Sequence, residues 1–287
     1  MFPIRKILAP VDFSGRSLDA ANYAASMAAR LGAELTVLHV LPPLAAEFSM
    51  VEVAPGSEGG HSAEHVTRVR EALQEVATSE AGLRVQRIVA EGDPAAQIVH
   101  AAHLQSADLI VMPTHGGGTI RNFLLGSVAS KVLHDTECPV WTGVQLESHS
   151  GSFAIGHVLC AVDLGPRSTD VLCRAAALAR HFGSRLTVLH VSPRLSYGEG
   201  EAMGEDLERQ LVEQYRERLK TLAEDTHSTG ELMVESGEAA KKVAEVAGRT
   251  GADLVVIGRG AIAGRTGRLR ATSYAIIRQS HCAVLSV

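Results

Sequence analysis

A glycine-rich segment at residues 112–131, MPTHGGGTIRNFLLGSVASK, holds residue types that suit phosphate binding. The glycines at 116–118 let the backbone approach a ligand closely. Gly126 and Ser127 open a predicted helix over 127–134, whose free N–H groups and dipole favour an anion. The Ser127 hydroxyl adds a further donor. The segment is therefore predicted to bind a phosphate group.

Two titratable residues are candidates for the same site, Asp12 outside this segment and His115 within it. Asp12 ends the first predicted strand and can accept a hydrogen bond from an amino group or a ribose hydroxyl across the same crevice. The alternative is that its carboxylate caps the turn beside Ser14. His115 either touches the phosphate or only shapes the loop. Pro10 and Val40 would supply apolar walls to this site.

The motifs of several familiar enzyme classes are not intact in this chain. It has no G-x-x-x-x-G-K-[ST] phosphate loop and no G-x-G-x-x-G after the first strand, which instead runs into PVDFSGRS. It also has no G-x-S-x-G nucleophile elbow and no H-E-x-x-H zinc motif. These absences argue against the enzymes that those motifs define.

The elements that must position these residues occur twice. KILAPVDFSGRS at 6–17 returns as HVLCAVDLGPRS at 157–168, and SADLIVM at 106–112 returns as GADLVVI at 251–257. Such self-similarity marks two copies of one structural unit. The polar stretch LESHSGSFAIG at 146–156 is typical of a linker. We expect two domains, residues 1–149 and 150–287.

Each repeat shows short apolar runs that alternate with segments of helical period, which predicts the order βαβαβαβαβ. In the first repeat the predicted strands span 6–11, 34–40, 84–90, 108–112 and 140–144. The predicted helices span 20–31, 63–79, 95–105 and 127–134. Strands this apolar need cover on both faces, so the expected fold is α/β, with a doubly wound parallel sheet in each domain. Ligands of such sheets bind outside the carboxyl ends of the strands.

Composition excludes several function classes. The formal net charge of −5 and pI near 6.2 give no global positive field for nucleic acid. No run of about 18 apolar residues occurs, and the N-terminus has no signal-peptide pattern, so we expect neither membrane association nor export. Cys138, Cys160, Cys173 and Cys282 form no C-x-x-C pair and are expected to be small buried residues in a reducing compartment. The expected location is cytoplasmic.

The Asp-ended first strand, the LHV second strand and the T-H-G…G-S loop before a C-P-V strand resemble the universal stress protein family, here as a tandem. The resemblance covers nearly the whole chain. It implies two five-stranded domains of the adenine nucleotide α-hydrolase-like type, related by a pseudo-twofold axis along which the final strands meet. It also implies a homodimer of such chains and a stress-response role with a protein partner that the sequence does not identify.

The resemblance further implies ATP, with or without Mg²⁺, as the ligand of the first domain. Asp12 and Val40 would meet the adenine or ribose, while Met112 and Gly116 would line the sugar and phosphates. The N–H groups of Gly126, Ser127 and Val128 would hold the phosphate tail. Pro113 stands where the family's loop has its first glycine, so a backbone N–H contact there is impossible in this chain.

The second repeat keeps only part of this pattern. Asp163, Val191, Gly258 and Thr272 occupy the equivalent positions and define a weaker second site. Ala261 and Ala271 replace two of the glycines, and an added methyl can block the approach of a phosphate. Four arginines crowd the same loop and would either bind another anion or a partner, or simply be solvated: Arg259, Arg265, Arg268 and Arg270.

Three functions remain open from the sequence. The leading one is a regulatory module that holds ATP in the first domain and changes conformation or partner affinity with occupancy. The second is a slow ATPase, although no carboxylate cluster near residues 112–131 would hold a metal. The third is a protein–protein scaffold that does not depend on nucleotide.

Overall fold

The computed structural model describes most of both repeats. Its described residues are 4–43, 61–77, 80, 82–116, 125–143, 153–194, 201–259 and 271–287. Those up to Thr142, with Phe153, form one compact unit, and those from Ala154 onward, with Gly143, form the other. The boundary expected near residue 150 lies outside the described residues and stays a prediction.

The first unit follows the predicted alternation of strands and helices. Its elements are β1 (Lys6–Val11), α1 (Gly15–Leu31), β2 (Glu34–Leu41), α2 (Ala63–Gln74), β3 (Val85–Glu91), α3 (Pro94–Leu104), β4 (Leu109–Val111), α4 (Ser127–Asp135) and β5 (Val140–Thr142). The strands lie in the order β3-β2-β1-β4-β5, and each strand is parallel to its neighbours. The order reverses between β1 and β4, so the carboxyl ends of these two strands flank a topological switch point.

The second unit repeats this architecture. Its elements are β6 (His157–Val162), α5 (Ser168–Phe182), β7 (Arg185–Ser192), α6 (Glu201–Asp225), β8 (Glu231–Ser236), α7 (Ala239–Thr250), β9 (Leu254–Ile257), α8 (Ala271–Gln279) and β10 (Ala283–Ser286). Within this unit the strand order is β10-β9-β6-β7-β8, again parallel throughout. The α/β class and the tandem of two parallel-sheet domains are therefore confirmed.

Buried strands and small helix residues build each core. Leu8 and Ala9 of β1 and Leu159 and Cys160 of β6 have no solvent exposure. Helix α1 turns a stripe of alanines toward the sheet, which lets helix and sheet approach closely: Ala20, Ala21, Ala24, Ala25 and Ala28. Among the described helices, none combines the length and apolar character that a membrane crossing requires.

Two helices differ from the predicted bounds by more than one residue, for local reasons. Helix α1 begins at Gly15 and not at Ala20, because the Ser14 side chain accepts from the Ser17 N–H and starts the helix earlier. Helix α2 ends at Gln74, and Ala77 shortly after it has φ of +56°, which no right-handed helix accommodates.

The prediction that all four cysteines are buried is wrong for Cys173. Cys160 and Cys282 are buried and Cys138 is partly buried, whereas Cys173 is exposed. The reason is helical geometry, since the buried face of α5 carries Val171, Leu172, Ala175, Ala176 and Ala179, and position 173 falls on the other side.

Candidate functional site

The carboxyl ends of β1, β2 and β4 border a cavity of about 350 Å³ in the first unit. Residues from the start of α4 and from α1 and α3 complete its lining. All ten residues predicted for the first site line this one cavity: Pro10, Asp12, Val40, Met112, Pro113, His115, Gly116, Gly126, Ser127 and Val128. A volume in this range suits a small organic ligand.

Apolar side chains form the inner walls of the first cavity. Val40 and Met112 are 8% and 5% exposed, and Leu38 and Ile98 are buried beside them. These residues come from β2, from the end of β4 and from α3, so the walls depend on three separate elements. Such walls favour a planar or apolar ligand body.

Asp12 is held at the rim of the cavity by its own loop. Its Oδ1 accepts hydrogen bonds from the N–H and the hydroxyl of Ser14, and its own N–H donates to Oγ of Ser17 at 3.1 Å. The intervening Phe13 adopts a φ of +60° that turns the chain here. The carboxylate therefore caps the turn, as the alternative interpretation expected, and also lines the cavity.

The other carboxylate oxygen of Asp12 faces Gly116. A Cβ built on Gly116 would lie 2.3 Å from Oδ2 of Asp12, a distance that no side chain tolerates without displacement. The loop after β4 therefore reaches the Asp12 carboxylate because residue 116 is a glycine.

The start of α4 has the features of an anion-binding end. Its N-cap residue, Gly126, provides no side-chain cap, whereas Ser14, Ser62 and Asp93 cap the three other described helices of this unit. The Gly126 N–H donates to the Thr114 carbonyl at 2.8 Å, which fixes the helix start against the loop. The first N–H groups of α4 border the cavity and have no internal helical acceptor, so an anion placed there would satisfy them.

Three neighbouring side chains have their own protein contacts. Nδ1 of His115 lies 3.0 Å from Oγ1 of Thr114, while the ring also lines the cavity. Lys131, one turn into α4, pairs with Asp93 at 3.4 Å at an exposed position. His39 has Nδ1 2.8 Å from the Val11 carbonyl, so this nitrogen carries the proton, and burial lowers the pKa of the ring. His39 therefore has a structural role.

Six cavity residues were not among those predicted. They are Val11, Ser17, Leu38, Pro94, Ile98 and Ala129. Most are apolar residues whose pattern alone does not separate a core position from a cavity position. Ser17 could have been found, because it recurs as Ser168 at the same repeat offset as Asp12 and Asp163.

The second unit has an equivalent cavity of about 460 Å³. All four residues of the weaker predicted site line it: Asp163, Val191, Gly258 and Thr272. Oδ1 of Asp163 accepts from the Gly165 N–H at 2.9 Å and from the Ser168 hydroxyl at 3.1 Å, much as Asp12 does in the first unit. The loop that holds this carboxylate is therefore conserved within the chain.

One residue beside the second cavity differs from its counterpart in the first unit, Thr114. Arg259, which follows Gly258, is only 2% exposed, so it is not the solvated loop residue that one alternative expected. The other arginines of that cluster lie outside the described residues. Among the residues that the structure describes, no group of three or more His, Cys, Asp or Glu side chains could hold a metal ion.

Comparison with known proteins gives consistent matches for both units. The model of the universal stress protein family matches residues 3–142 and 154–287. A universal stress protein of Methanocaldococcus jannaschii is 32% identical over 143 residues, which are 47% of this chain and 79% of that protein. One of Thermus aquaticus is 33% identical over 141 residues, covering 47% of this chain and 96% of that protein.

Solved structures match the chain over nearly its whole length. A universal stress protein from Archaeoglobus fulgidus has a TM-score of 0.65 at 22% identity, covering 99% of this chain and 96% of that one. A putative universal stress protein from Pseudomonas aeruginosa has a TM-score of 0.66 at 20% identity, with 99% and 93% covered. At this identity the likeness is one of fold.

Proposed function

We propose that this chain, which belongs to the universal stress protein family, binds ATP in the cavity of its first unit and uses the occupancy of that site to regulate a protein partner. The observation that carries the proposal is the convergence of three features on one cavity. Apolar walls, a fixed carboxylate and a helix start without a side-chain cap border the same space.

Each feature matches one part of an adenine nucleotide. The apolar walls at Val40 and Met112 suit a planar base. The Asp12 carboxylate accepts from the amino group or the ribose hydroxyls. The N–H groups at the start of α4 and the Ser127 hydroxyl favour the phosphates.

Pro113 limits which backbone N–H groups can bind the phosphates. It lines the cavity but has no N–H, so it contributes only its ring and its fixed φ. The Gly126 N–H, which the sequence predicted as a third donor, is instead donated to the Thr114 carbonyl, so the backbone donors left for the phosphate tail are those of Ser127 and Val128. Phosphate binding then depends on the first residues of α4.

The direct experiment identifies what the purified protein carries and what it takes up. Freshly purified chain is denatured, any released nucleotide is identified by chromatography, and ATP is titrated by calorimetry with and without Mg²⁺. We expect about one ATP per chain. A folded chain that releases no nucleotide and gives no heat would overturn the proposal and leave the nucleotide-independent scaffold.

Two further readouts separate the remaining alternatives. Phosphate release measured in the same samples tests slow hydrolysis, for which we expect a rate far below that of dedicated ATPases. Light scattering with and without ATP tests the homodimer expected from the resemblance. A change of oligomeric state on ATP addition would support a regulatory role directly.

A further inference from the structure

An ion pair joins the two helices that border the first cavity. Nζ of Lys131 lies 3.4 Å from Oδ2 of Asp93, and both side chains are more than half exposed. Asp93 is the N-cap residue of α3, and Lys131 lies one turn into α4. Pro94 of α3 and Ser127 of α4 line the cavity, so the pair lies beside the edge of the cavity at which both helices begin.

The Lys131 side chain shares a helix face with the residues proposed to hold the phosphates. Side chains of an α-helix lean over the turn that precedes them, and residues three and four apart lie on one face. Lys131 therefore lies on the face of Ser127 and Val128, which line the cavity. Ile276, which holds the same position in the second repeat, lines the second cavity, so in that unit this position faces the ligand side of the helix.

The lining of the first cavity does not balance the charge of a polyphosphate. Among the described residues that line it, none is a lysine or an arginine, and Asp12 adds a negative charge. A phosphate chain at the start of α4 would meet helix N–H groups, which carry only partial positive charge. An ammonium one turn into the same helix would neutralise the phosphates beyond the first.

Asp93 holds the Lys131 ammonium beside the cavity without burying it. Oδ1 of Asp93 accepts from the Ala96 N–H at 3.0 Å, which fixes the carboxylate at the start of α3 and leaves Oδ2 for Lys131. The Ala96 N–H, and after it Lys131, lowers the pKa of Asp93, so the carboxylate stays charged. Because an exposed ion pair contributes little to stability, Lys131 can exchange this partner for another anion at low cost.

We propose that Lys131 determines the phosphate specificity of the first cavity. When ATP binds, Lys131 leaves Asp93 and binds the terminal phosphate, so the site prefers ATP over AMP. This inference rests on the ATP site proposed above and adds how that site distinguishes the number of phosphates. Asp93 is a positioning residue, since it acts through Lys131. Glu238 and Ile276 hold these two positions in the second repeat, so the selectivity is confined to the first unit.

The test titrates ATP and AMP by calorimetry into the full chain and its Lys131→Gln variant. We expect the variant to bind ATP about tenfold more weakly, the effect of losing one hydrogen bond between charged groups, and to change the AMP affinity less than about twofold. Lys131→Arg should bind ATP within about threefold of the parent, because it keeps the charge. A lysine that served only the fold would alter the affinities for both nucleotides equally.

Asp93→Asn tests the positioning role. Asparagine also caps a helix start, so α3 should be retained, while the carboxylate that competes for Lys131 is removed. We expect the ATP affinity to rise about threefold, the value of an exposed ion pair, and the AMP affinity to stay as in the parent.

Lys242→Gln is the matched control, since it removes a lysine that pairs with Glu245 at 2.8 Å on α7 of the second unit. It should leave both affinities unchanged. Unchanged ATP affinity in Lys131→Gln, equal losses of ATP and AMP affinity, or no gain of ATP affinity in Asp93→Asn would each overturn the inference. If the parent binds neither nucleotide, the proposed function fails with it. If the parent binds ATP and Lys131→Gln binds it equally well, only the present inference fails.

Discussion

Gly116 lies directly against the carboxylate of Asp12, so that a Cβ at position 116 would stand 2.3 Å from Oδ2. Two segments that are a hundred residues apart in the chain thus meet at the rim of one cavity. The absence of a side chain at 116 and the position of the Asp12 carboxylate depend on each other, and this dependence can be tested.

Gly116→Ala is expected to keep the fold and to weaken ATP binding about tenfold, the effect of losing one hydrogen bond to a charged group. The new methyl displaces the end of a flexible side chain and not backbone, so Asp12 moves while the core stays intact. Calorimetry measures the affinity. Gly15→Ala is the control, because a Cβ there meets nothing within 4 Å. Equal ATP affinity in the Gly116→Ala variant and the parent would show that Asp12 does not contact the nucleotide.

Asp12→Asn separates the two roles of this carboxylate. In the parent the Ser14 N–H donates to Oδ1 of Asp12 at 3.0 Å. Asparagine keeps an oxygen for that bond but presents an amide donor in place of the second carboxylate oxygen. We expect unfolding free energy to change by less than about 0.5 kcal/mol and ATP affinity to fall about tenfold. Denaturant unfolding and calorimetry measure the two quantities. A pure capping role would give no change in affinity, and Asp163→Asn should leave ATP binding to the first unit as it was.

Gly126→Val is expected to abolish ATP binding at the first site. A Cβ at 126 would lie 3.4 Å from the Thr114 carbonyl oxygen and 3.5 Å from Cα of His115, and the branched methyls of valine would crowd the N–H groups at the start of α4. The residue has φ of −60° and ψ of 152°, which valine accepts, so the fold should persist. Ala271→Val in the second unit is the paired change and should not alter ATP stoichiometry. Unchanged ATP affinity in the Gly126→Val variant would mean that the ATP site lies elsewhere.

Stability should fall as the pH drops below about 6.5, partly through His157. His157 is 3% exposed, and its Nε2 lies 2.9 Å from Oγ1 of Thr187. Burial, and after it the Arg185 guanidinium, lowers the pKa of the ring from 6.5. Above that pH the ring is neutral in both the folded and the unfolded chain. Below it the unfolded chain binds the proton first, and the free energy of unfolding falls by about 1.4 kcal/mol for each pH unit that separates the two pKa values. Urea unfolding between pH 8 and 5 measures the loss.

His157→Gln should make that pH dependence shallower without removing it, because burial also lowers the pKa of His39 and His190. The exposed His103 is the comparison, and His103→Gln should leave the pH dependence as in the parent. An unaltered slope in the His157→Gln variant would assign the acid sensitivity to other groups.

Native alkylation should label Cys173 first. It is the exposed thiol among the four cysteines, whereas burial raises the pKa of Cys282 to about 11 and raises that of Cys160 further. Mass spectrometry after a timed iodoacetamide pulse gives the order. Cys173→Ser should remove the fast phase, and rapid labelling of Cys160 in the folded chain would contradict its burial.

The repeat and the order of elements could be predicted from sequence, since both depend on local pattern. Apolar runs such as LTVLHV are buried strands wherever they occur, and the run returns in both repeats. Residues at strand ends, such as Asp12 and Met112, could be assigned to one site because parallel strands end at the same edge of a sheet. The exposure of Cys173 could not be predicted from sequence, because it depends on which side of α5 packs against the sheet.

The sequence by itself determined the family, the parallel α/β units and the ten first-cavity residues that come from strand ends and the loop around α4. Only the tertiary structure decided that Gly116 reaches Asp12, that Ile98 of α3 completes the wall, and that Arg167 lines one cavity while Arg16 does not line the other. Local periodicity sets which residues form an element, but distances between elements follow from how whole surfaces pack. That packing depends on many residues together, so it cannot be predicted from any single motif.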